Sequence, residues 1–221
     1  MSKLTNKALF LDRDGVINVE RCYVYRRDDF LFQEGIFDLC RAAQNLGYLL
    51  VVVTNQAGIA RGFYTEAEFL ALTGWMIEEF GRHGSTIARV YYCPYHPIHG
   101  VGRYKKDSAD RKPKPGMLLR ARRDFNLDLT SSVLIGDKLS DIEAGKAAGV
   151  GTTILLRLGA PESSAGDSDF HVAGSLHDVC SEFFSGPHDA AKPTEISSAT
   201  LSQPGGCHVG VTKSASGMGL V

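Results

Sequence analysis

The string Asp12-Arg13-Asp14-Gly15 holds the first residues of this chain whose types and spacing suit chemistry, two carboxylates two positions apart before a glycine that permits a tight turn. Such a pair can share one metal ion. A carboxylate can attack phosphorus when Mg²⁺ offsets the repulsion between two anions, and Mg²⁺ takes hard oxygen ligands. The same residues also describe a turn closed by an Asp side chain. Thr54 carries a hydroxyl that can donate to a phosphoryl oxygen or cap a turn, and Asn55 and Gln56 add amide donors. Gly58 and Gly62 are read as making the next loop pliable, and Arg61 between them can pair with a second anionic group. Arg111 and Lys112 lead into Pro113-Lys114-Pro115-Gly116 at the head of an expected helix, where the helix dipole disfavours cations. A phosphate would suit them; a solvated basic stretch continuing Arg103, Lys105 and Lys106 is the alternative. Asp137, in Gly136-Asp137-Lys138, repeats the pattern of an acid after an apolar run, and Asp141 suits a helix cap or a ligand-orienting role.

These residues need elements to bring them together. Ala8 to Leu11, Tyr48 to Val53, Ile87 to Tyr92, Val133 to Ile135 and Thr152 to Leu156 have the length and composition of buried strands. Helical spacing runs from Ile36 to Leu46, with Gly47 as the stop. A second helix begins at the capping pattern Thr65 and Glu68 and continues to about Arg82. Further helices are expected from Pro115 to Phe125 and from Ser140 to Ala148, and a last strand and helix over Phe170 to Ala173 and Leu176 to Phe184. Alternating strands and helices predict an α/β fold, a doubly wound and mainly parallel sheet in one domain. Ligands bind beyond the carboxyl ends of such strands, which is where the polar strings fall.

Composition narrows the partners. With 24 basic and 25 acidic side chains the net charge is -1, so no global positive field gathers nucleic acid or an anionic membrane. A small-molecule partner is expected. Five scattered cysteines without a C-x-x-C pair suit reduced thiols, no apolar run approaches a membrane span, and Met1 to Lys7 lack the apolar core of a signal peptide, so a cytoplasmic location is expected. From Ser185 to Val221, Gly, Ser and Pro supply 15 of 37 residues and no aromatic side chain is present to anchor a core. The expected organisation is a folded domain over 1–184 and a flexible tail over 185–221.

Taken in order, Asp12-Arg13-Asp14-Gly15, Thr54-Asn55-Gln56, Arg111-Lys112 and Gly136-Asp137-Lys138 resemble the haloacid dehalogenase (HAD) superfamily of phosphatases. Within it, VVVTNQAGIARG, RKPKPG and GDKLSDIEAGKAAGV resemble the heptose bisphosphate phosphatase and histidinol-phosphatase branch, and the GIARG loop favours the heptose side. The resemblance implies a HAD-like, Rossmannoid domain that removes the 7-phosphate of D-glycero-D-manno-heptose 1,7-bisphosphate. It implies Asp12 as nucleophile, Asp14 as general acid and base, and Thr54 and Lys112 as groups that steady the transferring phosphoryl. Mg²⁺ would be held by Asp12, Asp137 and the backbone carbonyl of Asp14. Implied substrate contacts are Arg13, Glu20, Arg21, Cys22, Tyr23, Asn55, Gln56, Ala57, Arg61, Arg111 and Lys138, with Arg111 on the substrate's other phosphate. A monomer is expected.

Spacing bears on access. The 42 positions from Asp12 to Thr54 and the 58 from Thr54 to Lys112 leave no room for an inserted cap domain, so loops 16–30 and 93–114 are expected to shape the pocket. One departure from the branch concerns zinc. Relatives often carry Cys-x-His and then Cys-x-Cys before Arg-Lys-Pro, whereas here Cys93 stands alone, with Tyr95, Ser108 and Asp110 at the other ligand positions. Zinc is therefore not expected; a rearranged set of Cys93, His96, His99 and Asp110 is the alternative, and packing of Tyr91, Tyr92 and Tyr95 is expected to hold the loop instead. A histidinol-phosphate or other small sugar-phosphate phosphatase is the enzymatic alternative. A non-catalytic phosphate-binding protein and a nucleic-acid 3'-end phosphatase are alternatives of other classes.

Overall fold

The computed structural model describes residues 6–159 and 169–185; the expected flexible tail, apart from Ser185, lies outside the described residues. Six strands form one all-parallel sheet: β1 (Lys7–Leu11), β2 (Tyr48–Asn55), β3 (Ile87–Cys93), β4 (Val133–Gly136), β5 (Thr152–Leu156) and β6 (His171–Ala173), in the order β3-β2-β1-β4-β5-β6. The helices are α1 (Ile36–Asn45), α2 (Ala57–Ala60), α3 (Glu66–Arg82), α4 (Gly116–Phe125), α5 (Leu139–Ala148) and α6 (Leu176–Phe183). The predicted elements are all present within a few residues. β2 and β3 run further than predicted, to Asn55 and Cys93, and α2 and two short 3₁₀ turns were not foreseen.

The period-2 geometry of the strands divides the core into two. Leu9, Leu11, Leu50 and Val52 point to one face and pack with Leu39 and Cys40 of α1, Met76 and Phe80 of α3, and Leu176 and Val179 of α6. Ala8, Phe10, Val51 and Val53 point to the other and meet Met117, Leu118 and Ala121 of α4 and Ala144 of α5. Burying each of the larger side chains contributes about 1.5–3 kcal/mol, so a strand sandwiched this way has one tolerated register. α3 begins with a complete capping box, Glu68 N–H donating to Thr65 Oγ1 at 3.2 Å and Thr65 N–H to Glu68 Oε2 at 2.7 Å.

Registry places the chemistry. Leu11 of β1 lies beside Val52 of β2 and Ile135 of β4, so Asp12, Thr54 and Asp137 emerge at one end of three adjacent strands. The chain winds to opposite sides of the sheet from β1, and the crevice opens at that switch point. Among the described residues no segment between the motif-bearing strands forms a separate cap, in line with the motif spacing.

Candidate active site

Lys112 is the organising charge. Only 4% exposed, its Nζ lies 3.0 Å from Asp12 Oδ1 and 2.6 Å from Asp141 Oδ1 and donates to the Val53 carbonyl at 2.8 Å. Burial works against its charge, but Asp12 and Asp141 outweigh that and raise its affinity for the proton. Asn55 fixes the backbone that carries it, donating to the Lys112 carbonyl at 3.0 Å and accepting the Lys112 N–H at 3.1 Å. The basic pair ahead of α4 is thus drawn to the site by carboxylates rather than left in solvent.

Three carboxylates, Asp12, Asp137 and Asp141, bring oxygens within 4.8 Å of one another. Asp12 is pushed up to about 7, chiefly by burial, against the pull of Lys112 and with the help of Asp141, Asp14 and Asp137. Asp137 is also raised by burial, and its buried Oδ1 has no hydrogen-bond donor. Lys112 serves Asp12 and Asp141, and Lys138 Nζ stands 3.4 Å from Asp137 Oδ2 while also pairing with Glu20, so two lysines face three acids and more carboxylate than ammonium charge gathers here; an orphaned carboxylate oxygen beside two others is a donor set suited to a hard divalent cation. The Asp14 side chain is not one of these three. Asp141 was read only as a cap or orienting group; it does cap, accepting Lys138 N–H at 3.0 Å, and it also joins the acidic cluster. Gly15 is what lets Asp137 approach: its φ is +90° and a Cβ there would fall 2.4 Å from Asp137 Oδ2.

Asp14 sits beside the cluster under four donors. Arg13 reaches it through Nε at 3.2 Å and Nη2 at 2.8 Å, Asn18 Nδ2 donates at 3.2 Å, and Gln56 Nε2 donates to Oδ2 at 3.1 Å. Gln56 Nε2 also donates to Thr54 Oγ1 at 2.9 Å. Because that hydroxyl is already an acceptor, its own hydrogen is available to a bound anion.

A cavity of about 440 Å³ opens above these groups. Asp12, Asp14, Thr54, Asn55, Gln56, Ala57, Arg111, Lys112 and Lys138 line it, and Glu20, Cys22 and Tyr23 form the opposite rim. Glu20 is paired there with Lys138 at 3.2 Å. Cys22 and Tyr23 hold positive φ angles, 22° and 68°, which fixes the rim in a turn that non-glycine residues seldom adopt.

Several implied contacts need correction. Arg13 is 1% exposed and does not line the cavity; its Nε and Nη2 bind Asp14 and the Val24 carbonyl, the latter at 2.7 Å, so it shapes the site from behind the wall. Arg21 is exposed and lines no part of the cavity. Arg61 stays outside the wall but close enough to Arg111 for the two cations to oppose each other. Asn55 reaches the wall with its amide already committed to Lys112. Gly58 does not serve pliability: it lies in α2, where a Cβ would stand 2.1 Å from the Tyr64 ring. Tyr64, Ser140 and Asp141 line the cavity and were not foreseen as doing so; the glycine at 58 was the one signal for Tyr64.

Loop 93–114 reaches the cavity only through Arg111 and Lys112, Arg111 donating to the Tyr95 carbonyl at 3.2 Å. The rearranged metal set does not assemble. Buried Cys93 faces the Tyr95 carbonyl, His96 Nδ1 accepts the N–H groups of Ile98 and His99, and Asp110 binds Arg120 at 2.7 Å. Tyrosines hold the loop, Tyr92 and Tyr104 both donating to Glu66 and Lys106 lying over the Tyr95 ring.

A buried acid, a threonine and a second acid at the ends of three parallel strands, with a lysine from the loop before α4 paired to the first acid, define a HAD-type hydrolase, and the HAD-hydrolase-like family model matches residues 109–179. Similarity to individual proteins is more extensive. Over 153 residues the chain is 58% identical to D-glycero-alpha-D-manno-heptose-1,7-bisphosphate 7-phosphatase of Burkholderia mallei, covering 69% of this chain and 81% of that protein. The beta-named enzyme of Vibrio cholerae is 51% identical over 177 residues, covering 80% and 95%. The chain belongs to this family of heptose-1,7-bisphosphate 7-phosphatases. A solved structure of D,D-heptose 1,7-bisphosphate phosphatase from B. bronchiseptica, complexed with magnesium and phosphate, superposes with a TM-score of 0.66 at 27% identity, covering 79% of this chain and 96% of that one.

Proposed function

We propose that this protein is a Mg²⁺-dependent phosphomonoesterase that removes the 7-phosphate of a D-glycero-D-manno-heptose 1,7-bisphosphate through an aspartyl phosphate on Asp12. The arrangement of Asp12 between Lys112 and the acidic cluster, at the floor of the cavity, carries this reading. Oδ1 of Asp12 is held by the Arg13 N–H at 2.7 Å and by Lys112, which leaves Oδ2 to attack phosphorus. As the bond to the sugar oxygen breaks, Asp14 gives that oxygen a proton; Asp14 then takes a proton from the water that attacks the aspartyl phosphate, releasing phosphate and restoring Asp12. Thr54 Oγ and Lys112 Nζ supply hydrogen bonds to the phosphoryl oxygens throughout. Asp12, Asp137 and the Asp14 carbonyl, with Asp141 close by, would hold Mg²⁺, which would supply the positive charge that lets one anion approach another.

Substrate choice falls to the rim. Glu20, Cys22 and Tyr23 face the sugar, and Arg111, with Arg61 behind it, suits the distal phosphate. Arg111→Gln is expected to raise KM for a sugar bisphosphate by about tenfold or more with kcat little changed, and to matter far less for the matching monophosphate. Equal effects on both would detach Arg111 from the second phosphate. The reading as a whole is tested by phosphate release from both anomers of the heptose bisphosphate and from histidinol phosphate, with and without Mg²⁺. Comparable kcat/KM on histidinol phosphate would overturn the heptose assignment.

The metal reading has a signature that needs no substrate. An acid raised from its ordinary 3.8 to about 7 binds more protons folded than unfolded, so this site costs stability as pH rises through that interval. Added Mg²⁺ is expected to raise Tm at about pH 8 and to do so much less at about pH 5, where the proton already offsets the charge. A Tm shift that does not depend on pH would count against cation binding by these carboxylates.

A further inference from the structure

The active-site reading leaves Tyr64 unexplained. Its ring is 5% exposed, stacks on Tyr25 at 5.2 Å between centroids, and sits against the bare Cα of Gly58. Its hydroxyl donates to Gln56 Oε1 at 2.5 Å. A primary amide has one oxygen, so anchoring that oxygen on Tyr64 turns Nε2 to the opposite side, where it donates to both Asp14 Oδ2 and Thr54 Oγ1. The flipped amide would set its carbonyl oxygen against the Asp14 carboxylate, acceptor facing acceptor, so the bond to Asp14 exists only in the orientation in which Tyr64 donates to Oε1.

We infer that Tyr64 is a positioning residue that acts through the Gln56 amide to aim the Asp14 carboxyl at the leaving oxygen, with Gly58 present to seat the Tyr64 ring. The inference rests on the assignment of Asp14 as proton donor. Helical backbone at position 58 imposes no need for glycine; the approach of the aromatic ring does, since any side chain there would displace the ring and with it the hydroxyl. Arg13 and Asn18 hold Oδ1, and Arg13 Nη2 also donates to Oδ2 at 2.9 Å, so Gln56 is the second donor to Oδ2 and the one that ties it to the Thr54 side of the site.

Positioning of a proton donor has a kinetic mark that loss of packing lacks. A sugar alkoxide is a poor leaving group and needs the proton, whereas 2,4-dinitrophenolate leaves without one. Tyr64→Phe keeps the ring and removes the hydroxyl. It is expected to lower kcat/KM for the sugar bisphosphate about tenfold while lowering that for 2,4-dinitrophenyl phosphate less than about twofold. Gly58→Ala, which keeps the hydroxyl but unseats the ring, is expected to show the same selectivity. An equal loss on both esters, or wild-type values in both variants, would overturn the inference. Asp14→Asn, read as kcat/KM so that the shared hydrolysis of the aspartyl phosphate does not enter, separates it from the reading beneath it: a loss confined largely to the sugar ester upholds Asp14 as donor whatever Tyr64 does, and an equal loss in kcat/KM on both esters removes that assignment and the inference with it.

Discussion

Replacing Asp12 with Asn is expected to lower phosphate release by at least about 10⁴-fold, on the scale of removing a covalent nucleophile, and to leave the fold intact. An amide cannot form the acyl phosphate at a useful rate. The fold survives because the carboxylate is not what stabilises it: burial already pushes this acid up to about 7. Asn keeps an oxygen for the Arg13 N–H, and Lys112 keeps Asp141 and the Val53 carbonyl. A change in stability within about 1 kcal/mol is therefore expected. Steady-state phosphate release and a urea titration on the same preparation check both halves. Residual activity above about one per cent of wild type would remove Asp12 as nucleophile.

Lys112→Met is expected to do the opposite to the fold. Methionine fills the space of the stem but leaves Asp12 and Asp141 facing each other without their shared cation, and losing one member of a buried ion network costs about 3–5 kcal/mol. The rate should fall as well, by about 10²- to 10³-fold, the range for removing one charged donor to a phosphoryl oxygen. Acidification should return part of the stability, because Asp12 then takes a proton instead of standing as an unpaired charge. Mg²⁺ should return part of it too. Urea midpoints at about pH 5 and about pH 8, each with and without Mg²⁺, measure the three stability effects, and steady-state phosphate release measures the rate. A variant as stable as wild type at about pH 8 would show that Lys112 does not neutralise the carboxylates.

Legibility in the sequence followed the range of the interactions. The apolar run from Tyr48 to Val53, the Thr65 and Glu68 pair and the glycine stops are local signals, and the elements they predict are present. Asp12, Thr54, Lys112 and Asp137 could be picked out because each follows an apolar run or precedes a helix, the positions where α/β sheets expose polar groups. The misreadings share a different origin. Arg13 is implied as a substrate contact by the motif it stands in, since a charge in a motif shows its type but not its partner, and its partner is the next residue, Asp14. Arg21 and Arg61 were placed by resemblance along the chain, while the rim turns at Cys22 and the wall turns at Tyr64. Gly58 read as freedom of the backbone when its reason was an aromatic ring six positions away.

The sequence by itself determined that this chain builds a doubly wound sheet with carboxylates at the strand ends, because burial periodicity and strand-end polarity are properties of short segments. It also carried the family, through four ordered strings. Only the tertiary structure decided which charges share a proton or a cation and which merely hold one another. Lys112 stands 100 positions from Asp12 in the chain and 3.0 Å from it in space, and Tyr64 reaches Asp14 only through Gln56. Electrostatic and hydrogen-bond energies depend on separation and solvent access, and neither exists until the sheet has brought its strand ends together and closed them from water.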